Sequence, residues 1–472
     1  MNLYDSILFN TDSYKFSHWL QLPQKTQKLF SYIEARGGEF DECLFFGLQS
    51  FIKNYLMRPI TLEEIDFVEP IIKAHGEPFN REGFERIVIQ HGGYFPVKIR
   101  AVPEGTVLPI RNAMVTIENL DGQMPWVTNF LETAILRSVW YGCTVATTSF
   151  RIKRLIKNYL EKTGDPSLLP FKLHDFGARG VSSRESAALG GAAHLVNFMG
   201  TDTVDGFIEL MKNYGAKTVP AFSIPAAEHS TITIWGQENE VEAYRNMLNQ
   251  FAKPGSLVAV VSDSYDIFKA CEMWGTDLKQ QIINSEATVV IRPDSGEPHI
   301  VVKKVLDILA QKFGFSINQK GYKVLNNVRV IQGDGINYQS IKKILDTATD
   351  WDNGRYSADN IAFGMGGALL QQINRDTMQF AMKCSYAIVD GKPRDVFKNP
   401  VTSFAKASKR GRLTLLRNGK EFRTAVYGQE WWNKTGDMWV DALQTVYSSS
   451  NGYVNHLSQT IDDIRSLADS FV

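Results

Sequence analysis

Cysteine is scarce in this sequence and poorly spaced for metal or redox chemistry. The four cysteines, Cys43, Cys143, Cys271 and Cys384, lie far apart and form no CxxC pair. That excludes a zinc ribbon and argues against a disulfide scaffold, so a reducing cytoplasm is the expected location. No uncharged apolar run approaches the ~18 residues needed to span a bilayer, and the opening MNLYDSILFNTDSYKF breaks its apolar residues with Asp5 and Asp12 instead of forming an export signal. A soluble protein that does not enter the membrane is expected. Charge of one sign is missing too: 51 Lys plus Arg balance 51 Asp plus Glu. No global field draws nucleic acid or an anionic membrane, and any anion site must be local. Low-complexity tracts, Pro/Gly/Ser linkers and sequence-identical repeats are absent, so domain limits must come from changes in pattern.

Apolar residues are plentiful. With 472 residues, 44% of them hydrophobic, and 28 Phe, the chain can bury enough surface to offset ordering entropy, as one large domain or two unequal ones. From about residue 171 it repeats a β-branched run, a loop of Gly, Asp, Ser or His, and a helix-period segment. LVAVV (257–261) and SDS precede a segment that places Ile267, Cys271 and Trp274 on one helical face. TVVI (288–291) runs into RPDSGEP and a helix with Val302, Val305, Leu306, Leu309 and Phe313 at helical spacing. VRVI (328–331) enters QGDG before a helix with Ile341, Ile344 and Leu345, and NIAF (360–363) enters GMGG before ALLQQI. FKLHD (171–175) leads into FGARG and then Ser182-Ser183-Arg184-Glu185, where Ser182 is expected to cap the next helix.

Weaker candidates near 195–199 and 221–224 bring the count to about seven parallel strands, which fits a (β/α) barrel, preferred here over an open doubly wound sheet. YFPVKIRAVPEGTVLPI (94–110), alternating and punctuated by Pro and Gly, reads as β-rich, and so does the tail from Tyr386. The expected fold is therefore α/β. Residues 151–385 form a barrel-like catalytic domain, while 1–150 and 386–472 together build a second, β-rich α+β domain.

In a barrel, loops that follow the strands converge on one face. Arg292, directly after a buried strand, suits paired hydrogen bonds to phosphate, and Asp294 suits ribose hydroxyls or Mg²⁺; an ion pair that only closes the loop accounts for both about as well. Gly333 and Gly335 around Asp334, and Gly364, Gly366 and Gly367 before a helix, leave amides open to an anion, although glycine turns are also ordinary loop chemistry. His174 and His229 are expected on different loops, where a lone histidine is more often structural than catalytic. Jointly, two His, Arg179 and Arg292, several Asp and two Gly-rich turns at strand ends point to a site for a phosphorylated sugar and its leaving group.

TDSYK (11–15), HDFGARGVSS (174–183), GTDTV (200–204), PAAEHSTIT (225–233), SDSYD (262–266), IRPDSG (291–296), QGDG (332–335) and FGMGG (363–367) together resemble the nicotinamide phosphoribosyltransferases of the type II phosphoribosyltransferase family. The matches keep the family's order up to the basic stretch at 398–412. The resemblance implies transfer of phosphoribosyl from PRPP to nicotinamide in NAD salvage, giving nicotinamide mononucleotide and pyrophosphate. It also implies an α/β barrel with a second domain, a head-to-tail homodimer with shared active sites, use of Mg²⁺, and ATP hydrolysis coupled through a phosphorylated histidine.

By the same resemblance, Phe176 stacks on one face of the nicotinamide ring and the partner subunit's Tyr14 on the other. Asp202 accepts a hydrogen bond from the carboxamide; capping of the helix near Thr203 is the plainer role for that residue. Arg179 and Arg292 hold phosphates, Asp294 holds ribose hydroxyls, and Gly333, Asp334, Gly366 and Gly367 hold the ribose-phosphate region. From the partner subunit, Arg36, Arg375, Lys398 and Lys406 complete the phosphate pocket, while a solvated basic loop also accounts for the two lysines. His229 matches the phosphorylated histidine, with Asp263 orienting its imidazole. Metal ligands stay unassigned.

Ala178 stands where close relatives carry tyrosine, Met365 interrupts a Gly/Ser-rich turn, and Ala368 replaces a third glycine; these touch phosphate-loop detail, not the reaction class. A nicotinate phosphoribosyltransferase shares fold and donor, but its substrate's carboxylate would be repelled by Asp202. A non-catalytic nucleotide-binding scaffold is disfavoured by the intact His229, Arg292, Asp294 and both Gly loops.

Overall fold

The computed structural model describes residues 3–399, 408–428 and 438–472; Lys406 lies outside the described residues. The fold is mixed α/β. Two compact units form, one from Met1–Thr147, Glu209–Lys217 and Ile373–Phe471, the other from Thr148–Ile208 and Thr218–Gln372.

A seven-stranded antiparallel sheet organises the first unit. Thr26–Glu34 pairs with Ala381–Val389 on one side and Val115–Asn119 on the other, and Val97–Ala101 lies between Val115–Asn119 and Gln444–Ser450. The early and late parts of the chain are thus hydrogen-bonded into one sheet. Its pleat sorts the side chains: Val97, Ile99 and Ala101 are buried and alternate with half-buried Lys98 and Arg100. Phe16, Phe84, Phe95 and Phe130 belong to the same core. Because Ala381–Val389 is held by Thr26–Glu34, residues 373–385 fall in this unit and not in the barrel. Glu209–Lys217 also joins it: the Gln49 amide donates to the Asn213 carbonyl (2.8 Å), and the Ser50 hydroxyl to Glu209 (2.6 Å).

The second unit carries the parallel sheet, in the order Gly200–Thr201, Leu173–Asp175, Ile361–Met365, Val328–Gln332, Thr288–Arg292, Leu257–Val261. Residues 221–227 run as an irregular stave between the two edge strands, with Phe222 bridging Gly200 and Ala226 bridging Ala259 in parallel. Burial on both faces explains the unbroken apolar runs. Val258, Val260, Val289, Ile291, Val328 and Val330 are buried on one face. On the other, Ala259, Val290 and Ile331 cluster with Phe176, Ile224 and Ala362. Helices Ile267–Gly275, Pro298–Phe313 and Tyr338–Thr349 bury the stripes that include Trp274, Leu306 and Ile344. Where the strands begin, buried Lys172 donates to the carbonyls of Ala358, Asp359 and Ile361 at 3.2, 2.9 and 3.1 Å. Burial pulls its pKa down to about 7.

Three local expectations need correction. Residues 195–198 form the turn that ends the Arg184–His194 helix, buried by packing and not by strand pairing; the strand there is only Gly200–Thr201. That helix is capped by Ser183, whose Oγ accepts the Ser186 amide at 3.1 Å, one residue later than expected. ALLQQI yields a single turn, Gly367–Leu370. Among the described residues no helix is long and apolar enough to cross a membrane.

Candidate active site

The Leu173–Asp175 strand ends in a turn that its last residue holds in place. Buried Asp175 accepts the Gly177 amide on Oδ1 at 2.7 Å, and the Phe176 amide donates to the Met365 carbonyl at 3.0 Å. Phe176 is thereby laid on the Ile361–Met365 strand at a point where only glycine fits: a Cβ on Gly364 would lie 2.0 Å from Phe176 Cε2. Gly333 adjoins the same ring, and a Cβ there would lie 3.7 Å from Phe176 Cε2 and 3.2 Å from Asp294 Oδ1. The aromatic ring, the glycine loop and the Asp294 carboxylate therefore share one rim. His174, expected on a loop, is a strand residue. Its Nε2 donates to the Phe171 carbonyl at 3.0 Å, its ring packs against side-chain-free Gly200, and burial lowers its pKa.

The adjacent strand delivers Asp202 beside this turn, since the Asp202 amide donates to the Asp175 carbonyl at 2.9 Å. Its side chain is exposed and accepts the Ser223 hydroxyl at 2.6 Å. The helix that follows begins at Val204, so Thr203 and not Asp202 holds its cap position, and the Asp202 carboxylate bonds Ser223 instead.

Asp263, whose side chain is only 5% exposed, joins two further loops. Its Oδ1 lies 3.0 Å from His229 Nε2, while its Oδ2 accepts the Ser295 hydroxyl at 2.6 Å and the Asp294 amide at 3.1 Å. The His229 side chain remains 45% exposed. Arg292 does form the loop-closing pair, Nη2 to Asp294 Oδ2 at 3.3 Å, yet its buried Nε has no partner. An unpaired buried donor of this kind is costly unless a ligand takes it. Arg179 and Asp334 are exposed in the loops after their strands. The helix after QGDG is capped by its own Asn337, and Gly366 precedes only one turn, which Gly367 opens. Any anion there meets loop amides and not the end of a long helix.

Tyr14, Arg36, Arg375 and Lys398 belong to the first unit. Tyr14 is 53% exposed and edge-on to His18. Arg36, Arg375 and Lys398 act on Lys383 through their charge. Burial lowers the Lys383 pKa, Glu132 opposes that, and the three neighbouring cations add to it. Positive charge gathered in this way attracts an anion. Lys383 escaped sequence reading, although a lysine inside the apolar run AMKCSYAIV was a visible signal. Ser295 and Ser223, which hold Asp263 and Asp202, were missed because a hydroxyl's partner cannot be read from spacing. Among the described residues no group of three or more His, Cys, Asp or Glu is placed to hold a metal ion.

A parallel barrel-type sheet with this rim, carried in one chain with an antiparallel sheet unit, is the architecture of the type II phosphoribosyltransferases. Nicotinate-nucleotide pyrophosphorylase from Pyrococcus furiosus shares the fold, with TM-score 0.60 and 16% identity over 99% of this chain and 95% of that one. Human nicotinic acid phosphoribosyltransferase does so with TM-score 0.56 and 15% identity over 98% and 93%. Residues 171–451 match the nicotinate phosphoribosyltransferase (NAPRTase) family, and residues 6–99 match the nicotinamide phosphoribosyltransferase N-terminal domain. The chain is 54% identical to a nicotinamide phosphoribosyltransferase of Xanthomonas campestris pv. campestris over 100% of its own length and 99% of the relative's. It is 31% identical to one from Acinetobacter baylyi over 96% and 95%. The chain belongs to the nicotinate phosphoribosyltransferase family, on its nicotinamide phosphoribosyltransferase branch.

Proposed function

We propose that the chain transfers the phosphoribosyl group of PRPP to the ring nitrogen of nicotinamide, releasing pyrophosphate and forming nicotinamide mononucleotide. The bond from ribose C1 to the pyrophosphate oxygen breaks, its electron pair leaves with pyrophosphate, and the ring nitrogen closes on C1. Arg292 and Arg179 receive phosphate oxygens, and Asp294 orients the ribose hydroxyls. Phe176 offers a flat face to the electron-poor ring. Gly333, Asp334, Gly366 and Gly367 leave room for the ribose phosphate. A Mg²⁺ carried on the pyrophosphate would neutralise charge on the leaving group, held mostly by substrate oxygens and water.

The exposed Asp202 carboxylate beside Phe176 is the observation that favours nicotinamide over nicotinate: it accepts from an amide NH₂ and repels a second carboxylate. Asp202→Asn is expected to lower the ratio of kcat/KM for nicotinamide over nicotinate by about tenfold or more. An unchanged ratio in a folded variant would remove Asp202 from recognition.

His229 is assigned as the acceptor of the ATP γ-phosphoryl group, with Asp263 fixing its ring. Tyr14, Arg36, Arg375, Lys398 and Lys406 are assigned to the partner's site in a homodimer. Mixing inactive Tyr14→Ala chains with inactive Phe176→Ala chains is then expected to restore part of the activity, since about half of the subunits pair into dimers with one intact site. No rescue despite demonstrated subunit exchange would exclude a shared site.

A further inference from the structure

Asp175 holds the turn after its strand, and its carboxyl is wholly buried. One oxygen takes the Gly177 amide at 2.7 Å; the other faces Gly191, where a Cβ would lie 3.4 Å away, with the uncharged Thr203 hydroxyl nearby. The helices Arg184–His194 and Val204–Asn213 approach so closely that a Cβ on Gly206 would lie 2.8 Å from Gly191 backbone, which leaves no room for a long cationic side chain. Asp175 has no ion-pair partner among the described residues. The charged group that acts on it is Asp202, set on the next strand by the hydrogen bond from its amide to the Asp175 carbonyl.

We propose that Asp175 is a specificity-determining residue: its buried negative charge, placed behind Asp202, adds to the repulsion of an anionic ring substituent and so strengthens the preference for nicotinamide over nicotinate. The inference rests on the reading of Asp202 as the amide acceptor. A charge in a low-dielectric interior acts over a longer range than an exposed one, and no cation neutralises this one. Asp175 acts through position and charge, without touching substrate.

Burial, with the Gly177 hydrogen bond and the nearby Thr203 hydroxyl opposing it and the Asp202 charge adding to it, raises the Asp175 pKa to about 6. The carboxyl is therefore neutral below about pH 6 and charged above. Discrimination should rise with pH through that range.

The test is the ratio of kcat/KM for nicotinamide over nicotinate between pH 5.5 and 8, where nicotinate stays anionic, for wild type, Asp175→Asn and Asp202→Asn. Asparagine keeps an oxygen for the Gly177 amide. The expected result is a wild-type ratio that climbs through pH 6, and an Asp175→Asn ratio about tenfold lower at pH 8 and flat with pH. A flat wild-type profile overturns the proposal without recourse to any variant. So does Asp175→Asn slowing both rings equally, which is what a turn-holding role alone predicts. If Asp202→Asn lowers the ratio while Asp175→Asn leaves the wild-type profile intact, this inference falls and the Asp202 reading survives. If neither substitution moves the ratio, both fall.

Discussion

Alanine at position 364 is expected to lower kcat/KM for nicotinamide by about 100-fold or more, the scale of loss that a 1 Å misplacement of a positioning group produces. A methyl group there would sit 2.0 Å from Phe176 Cε2 and 2.2 Å from Cδ2, well inside van der Waals contact. Either the ring swings off the strand or the strand bends, at a cost of about 1–3 kcal/mol. The loss should reside mainly in the nicotinamide term, since the added methyl strikes the Phe176 ring, while the ribose-phosphate contacts assigned to this loop lie two and three residues further on, at Gly366 and Gly367. In a Phe176→Ala background the same methyl group has nothing to strike, so Gly364→Ala should add almost nothing. A double-mutant cycle measures this coupling directly. Additive losses would show that Gly364 matters for some reason other than the ring.

Replacing His229 by alanine is expected to cut ATP hydrolysis by on the order of 10³-fold while leaving a slow, ATP-independent transfer. Wild-type protein incubated with ATP should carry acid-labile phosphate on this residue, and the variant should carry none. Asp263→Asn should weaken the same reaction less, because asparagine can still face His229 Nε2 from 3.0 Å but without charge. Undiminished ATP hydrolysis in His229→Ala, or phosphate on another residue, would remove His229 from that role.

Legibility of the sequence varied with the physics of each element. Strands such as LVAVV and TVVI were plain because both faces are buried and their runs are short and β-branched. The stave at 221–227 and the two-residue strand Gly200–Thr201 were blurred, since a few bridge hydrogen bonds impose no pattern on side chains. The limits of the units escaped because they depend on which strand pairs with which: Ala381–Val389 looks continuous with the barrel in sequence but is held by Thr26–Glu34. At the site, Phe176, Asp202, His229 and Asp263 stood out as parts of motifs. What spacing could not supply was contact: that Asp263 also holds Ser295, that Gly364 is there for Phe176, and that buried Asp175 accepts the Asp202 amide on its carbonyl.

The central claim is tested most directly by product identity. Purified protein is incubated with PRPP and Mg²⁺ and either nicotinamide or nicotinate, with and without ATP, and products are separated and weighed by mass spectrometry. The expected result is nicotinamide mononucleotide with one equivalent of pyrophosphate, formed faster with ATP, and kcat/KM for nicotinamide at least about tenfold above that for nicotinate. Nicotinate mononucleotide as the preferred product, or no mononucleotide from either ring, would contradict it.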